Sequence, residues 1–125
     1  MASYGAMLLR LILGVVYIMH AYLALVVYGP SGMIAYQVKA GVPFPEIASW
    51  YLILAHGLGG ILLVLGIYTR WAALANIPAM VGAIAFVHLK NGFWAHQNGY
   101  EYPLVLLVAT LACAMIGGGA LSLKR

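Results

Sequence analysis

Four histidines and two carboxylates are the residues of this chain best suited to chemistry. His20, His56, His88 and Glu101 all fall in or beside apolar runs, where an ionisable group is costly and marks a functional site by default. Three chemistries suit such a set. Imidazoles from two helices could ligate a haem iron inside a helical bundle. They could hydrogen-bond a quinone headgroup and exchange protons with it, which fits the ordinary titration range of imidazole. Or they could bond one another, tyrosines or backbone carbonyls, and add only stability. A zinc site has weak support, because no His-x-x-x-His spacing occurs. Glycine-rich phosphate loops and ordered Ser/His/Asp sets are absent as well.

The elements that must hold these groups are set by composition. Of 125 residues, 66% are hydrophobic and 6% charged, and the mean hydropathy is +1.03. Soluble domains carry roughly a quarter charged residues, so this chain could not cover a water-facing surface. A spanning helix takes ~20 apolar residues. Four such helices, over about 7–28, 47–68, 71–89 and 102–121, use up the chain. The expected architecture is therefore all-α and integral to the membrane: a single-domain bundle of four transmembrane helices over residues 1–125. Gly29-Pro30-Ser31-Gly32 is expected to end the first span and Lys90-Asn91-Gly92 the third. Thr69-Arg70 is expected to form a very short link that makes the second and third helices antiparallel neighbours. The stretch 33–48 is too polar to span. Met33 to Ala40 reads as a short amphipathic helix in the interface, between helices 1 and 2, followed by a Gly-Val-Pro-Phe-Pro turn. Arg10 before an apolar run resembles a signal peptide, but the run is longer than a signal core, so the segment is expected to be retained.

Depth groups the polar residues. His20 and His56 are each about 12 Å below the same boundary at 1.5 Å per residue, with His88 near it and Glu101, between Tyr100 and Tyr102, at the mouth of the fourth span. Gly59 and Gly60 follow His56 by three and four residues, so they share its face and let a neighbouring helix approach. Asn76 is expected to satisfy a backbone group, and Pro78 to free a carbonyl and kink its helix. Tyr28, Trp50, Tyr51, Tyr68, Trp71, Phe93, Trp94, Tyr100 and Tyr102 sit at span ends, as an interfacial belt requires. Cys113, the single cysteine, lies in an apolar run and reads as a small packing residue.

The net charge of +4 is no nucleic-acid footprint, because the basic residues form no stripe. Arg10, Arg70, Lys124 and Arg125 fall on one side, and Lys39 and Lys90 on the other with Glu46 and Glu101. The positive-inside rule then puts both termini in the cytoplasm, in a membrane expected to be the prokaryotic cytoplasmic one. A cysteine at Ser31 or Asn98 should accordingly label with an impermeant reagent in intact cells; labelling only after lysis would reverse the orientation.

Several segments together resemble the DoxX family of small four-helix membrane proteins. They are Gly41-Val42-Pro43-Phe44-Pro45, Gly59-Gly60 followed by Leu65-Gly66-Ile67-Tyr68-Thr69-Arg70, Val87-His88-Leu89-Lys90-Asn91-Gly92-Phe93, Gly99-Tyr100-Glu101-Tyr102-Pro103, and the terminal Leu121-Ser122-Leu123. Their order and spacing carry the likeness. The resemblance implies a four-helix bundle, in which His88, Asn91, Gly92, Tyr100 and Glu101 match family positions. It also implies a setting among small subunits linked to quinol oxidation or to thiosulfate:quinone oxidoreduction. One departure stands out: the family usually has a glutamate where His56 stands, so an acceptor-only carboxylate is exchanged for a group that can ligate a metal.

The leading expectation is an auxiliary membrane subunit of a respiratory or redox complex, with a quinone-accessible polar pocket in the outer half. The residues expected to line it are His20, His56, His88, Asn91, Tyr100 and Glu101. The first alternative is a haem-binding electron carrier using His56 with His20 or His88. The second is a structural or assembly protein without a ligand. The expected partners are the lipid bilayer and a larger redox protein. Self-association through glycine-rich faces is a further expectation, with Gly117-Gly118-Gly119 as one contact.

Overall fold

The computed structural model describes residues 1–124, so the basic pair read at Lys124–Arg125 is described only as far as Lys124. Five α-helices account for most of these residues: α1 (Ala2–Tyr22), α2 (Gly29–Ala40), α3 (Pro45–Leu65), α4 (Thr69–Ala83) and α5 (Glu101–Ile116). Two of them continue into single π-helical turns, α1 through Leu23–Val27 and α4 through Ile84–His88. With those turns, three helices are long and apolar enough to cross a membrane: Ala2–Val27, Pro45–Leu65 and Thr69–Asn91. α5 is a shorter apolar helix of 16 residues.

α1 packs on α3, α3 on α4, α4 on α5, and α5 back on α1, which closes a ring of four. Leu13, Tyr17, Leu63, Ala72, Ala73, Met80, Leu106 and Cys113 fill its centre. Cys113 is buried there as a small side chain. α2 folds back against α3, where Met33 packs with Ala24 and Ile53. The outside is lined by large apolar side chains, among them Leu8, Ile12, Leu54, Leu58, Val105 and Val108. An apolar exterior this continuous is stable against lipid and not against water.

Close approach is set by two glycines. A Cβ on Gly14 would meet the Gly60 carbonyl oxygen at 2.7 Å, and one on Gly60 would meet that of Gly14 at 2.9 Å. α1 and α3 therefore touch backbone to backbone. Gly59 turns to α4 instead, where it makes room for the Asn76 side chain.

Three expectations on boundaries are corrected. The first span does stop just before Gly29 (φ 76°), but Gly29 then opens α2, with Pro30 in its first turn, instead of a loop. Proline suits a first helical turn, where its missing N–H would have no partner. The α3–α4 link is Gly66–Tyr68, and Thr69-Arg70 already belongs to α4. The fourth apolar run stops at Ile116, not near 121, because Gly117 (φ 91°) turns the chain back. The tail then seats against its own chain: the Ala120 N–H donates to the Ser3 carbonyl, and the Tyr68 N–H to that of Lys124. Gly117 lies against Arg70, Gly118 against Ser122 and Thr69, and Gly119 against Ala6, so the triple glycine packs against its own chain.

Arg10 holds this end together. Read as a basic flank, it is in fact 2% exposed. Its Nε donates to the Gly118 carbonyl at 2.8 Å and its Nη2 to that of Ala120 at 2.9 Å. Its Nη1 donates to the carbonyls of Leu63 at 3.1 Å and Val64 at 2.7 Å. The last two belong to the C-terminal turn of α3, where carbonyls favour a cation; that of Leu63 also accepts from the Gly66 N–H at 3.2 Å.

Candidate functional site

A cavity of about 950 Å³ opens at the other end of the ring, between the end of α1, α2, α3, α4 and the start of α5. His20, His56 and His88 all line it. Both π-helical turns reach its wall through Leu23, Ala24, Val87 and His88. π-helical turns recur at functional sites, since each inserts a residue and re-aims the side chains after it. Sequence periodicity does not register such an insertion.

His56 is the buried member, and its ring is fixed. Its Nδ1 lies 2.6 Å from the Asn76 Oδ1, while the Asn76 Nδ2 donates to the Ala72 carbonyl at 3.0 Å. A carbonyl can only accept, so the amide must present its oxygen to His56, and the imidazole is the donor. Asn76 thus satisfies a backbone group, as its position suggests, and also sets the tautomer of His56. Tyr17 stacks on the same ring with centroids 4.8 Å apart, and His20 approaches it edge-on at 6.4 Å. The Thr110 hydroxyl donates to the Leu106 carbonyl at 2.7 Å and accepts from the Tyr17 hydroxyl at 2.6 Å. A polar layer therefore crosses α1, α3, α4 and α5 at this level.

His88 is half-buried at the cavity mouth. Its Nδ1 donates to the Asn98 carbonyl at 2.9 Å. Asn91 donates to the same carbonyl at 3.0 Å and back to that of Val87 at 3.3 Å. Asn91, Tyr100 and Glu101 do not line the cavity; they build the loop beside it. The Glu101 carboxylate accepts from the Ala95 N–H at 3.0 Å, and the Tyr100 ring packs on Phe93 with centroids 5.4 Å apart. This loop carries the fourth histidine, His96, in a short 3₁₀ turn (Ala95–Gln97), outside the cavity lining. Glu101→Ala should therefore cost only about 1 kcal/mol of stability, the worth of one partly exposed hydrogen bond. Thermal unfolding checks this, and a loss of ligand binding as large as that of a histidine variant would return the carboxylate to the site.

Sequence reading missed other lining residues. Gln37 is buried on α2 and faces the cavity with Tyr36. Its spacing of four from Met33, the other buried residue of α2, is the signal that could have found it. Tyr28, Tyr51 and Tyr102 also line the cavity as well as lying at helix ends. Tyr51 spends its hydroxyl on the Ala75 carbonyl, beside the helix turn that Pro78 interrupts. Among the described residues, no group of three or more His, Cys, Asp or Glu side chains could hold a metal ion.

Fold and cavity together define a small all-helical membrane protein with a histidine-lined, otherwise largely apolar chamber. The DoxX family model matches residues 5–89, and the chain belongs to the DoxX family. That match takes in His20, His56 and His88 and ends before Asn91, Tyr100 and Glu101. A Bacillus subtilis protein named "Putative oxidoreductase CatD" is 27% identical over 119 residues, covering 95% of this chain and 84% of the relative. A Haemophilus influenzae protein whose name assigns no function is 31% identical over 93 residues, 70% of this chain and 62% of that protein. No solved structure matches the chain.

Proposed function

We propose that the chain is a single-domain, four-span membrane subunit of a redox complex, and that its cavity receives the headgroup of a membrane quinone. One observation carries the reading: a chamber of about 950 Å³ in which three imidazoles face mainly apolar walls. A planar, weakly polar ring needs apolar walls for its faces and a few hydrogen-bonding groups at its edge. The oxidoreductase name of the Bacillus relative supports a redox setting. A larger redox protein is the partner this reading requires.

In this arrangement α5 is the fourth span. Its 16 residues give a helix of ~24 Å, a shortfall that local bilayer thinning accommodates at modest cost. The end that gathers Arg10, Arg70 and Lys124 is the cytoplasmic one, and the cavity opens toward the outer half. α2 lies in the interface, with Met33 and Gln37 turned to the protein.

The test is quinone-dependent turnover of the parent complex in native membranes. His56→Ala and His88→Ala should each lower it roughly tenfold, the worth of one hydrogen bond in a water-poor site. Unchanged turnover in both variants would remove the pocket reading.

A further inference from the structure

The bonds that fix two of the cavity histidines also fix what they offer to a ligand. A neutral imidazole carries one N–H. His56 spends its N–H on the Asn76 Oδ1, and His88 spends its own on the Asn98 carbonyl. Neither acceptor can reverse its role. The Asn76 amide is held by the donation of its Nδ2 to the Ala72 carbonyl, and the Asn98 oxygen belongs to the backbone. In both rings Nε2 is left as a lone pair. The hydrogen-bonding partner on the far side of a histidine commonly sets its working face in this way.

We infer that the cavity is an acceptor site, which binds the dihydroxy form of an aromatic redox ring in preference to its dicarbonyl form. This inference rests on the reading of the cavity as a quinone-headgroup site and adds the redox state that the site prefers. A quinol brings O–H donors, which an Nε2 lone pair can accept. A quinone brings only lone pairs, so a carbonyl facing an Nε2 makes no bond and leaves two desolvated acceptors opposed. Sites built to pair with a substrate hydroxyl reject analogues that lack it, for the same reason. The other polar groups do not cancel the bias. Tyr51 is already committed to the Ala75 carbonyl, while His20, Gln37 and the remaining tyrosine hydroxyls can present either a donor or an acceptor.

The experiment uses the purified full chain in detergent micelles under argon. Binding of a decyl-substituted benzoquinol and of the matching benzoquinone is compared by equilibrium dialysis, with protein-free micelles as the baseline. The quinol should bind roughly tenfold more tightly or better. His88→Ala, at the half-buried mouth and less enclosed than His56, should shrink that ratio. Equal binding or a quinone preference, with His88→Ala weakening both forms, would overturn the inference and leave the cavity reading standing. Binding of neither form above the baseline would overturn both. Nitrogen-15 NMR of histidine-labelled protein gives a second, ligand-free readout. Unprotonated Nε2 is expected for His56 and His88, and a proton on Nε2 in both rings would overturn the inference.

Discussion

Replacing Arg10 with alanine is expected to destabilise the protein by about 3–5 kcal/mol, since a hydrogen bond from a charged group is worth roughly 1.5–3 kcal/mol and several are lost together. The guanidinium donates to four carbonyls, those of Leu63, Val64, Gly118 and Ala120. Alanine would take the guanidinium donors from these oxygens, leaving Leu63 its Gly66 N–H, in a space too enclosed for water to replace the rest fully. Two structures would loosen together, the C-terminal turn of α3 and the tail that turns back after Gly117. Thermal unfolding in detergent should show a large fall in midpoint, and protease should reach the tail first. Arg10→Lys is the informative comparison. Lysine keeps the charge but lacks the planar fork that reaches separate carbonyls, so an intermediate loss is expected. A lysine variant as stable as the parent would show that charge alone, not the clamp, matters here.

The second large effect is expected at the crossing of α1 and α3. Gly14→Ala would place a Cβ 2.7 Å from the Gly60 carbonyl oxygen and 2.6 Å from Val64 Cγ2. Backbone cannot step aside as a flexible side chain can, so the helices must separate. The cost should be on the order of 3 kcal/mol, the upper end of ordinary overpacking. Gly82 supplies the control. It also lies inside a helix, but a Cβ there meets nothing within 4 Å. Gly82→Ala should be neutral or stabilise by up to about 1 kcal/mol, through helix propensity alone. Equal effects at Gly14 and Gly82 would mean that α1 and α3 do not approach this closely. His56 lies one helical turn from Gly60, so separation at the crossing should also disturb the cavity.

Why some residues were legible and others were not follows from the range of the physics involved. His56 with Gly59 and Gly60 could be read as one face, because helical spacing is local. The three histidines could be placed at one end by counting residues from the ends of apolar runs. Glu101 could be placed at that end too, but not turned away from the cavity, because its partner is the Ala95 N–H of a loop whose path no periodicity encodes. Arg10 could be read as a basic residue near a span end, but not as a clamp. The carbonyls it holds come from the end of α3 and from the returning tail, which only the fold brings together.

By itself, then, the sequence determined the class of the protein. Its charge content and its long apolar runs are one-dimensional quantities, and they already exclude a water-soluble fold. It also determined which residues could do chemistry and roughly how deep each lies, since helical rise is constant. Only the tertiary structure decided which of them meet. The histidines share a cavity because the chain folds α2 back on α3 and inserts a π-helical turn at the ends of α1 and α4. The direction of the hydrogen bonds at His56 and His88 is decided by Asn76 and by the Asn98 carbonyl, which lie 20 and 10 residues away along the chain. Directionality of that kind depends on orientation in space, and spacing along a sequence does not carry it.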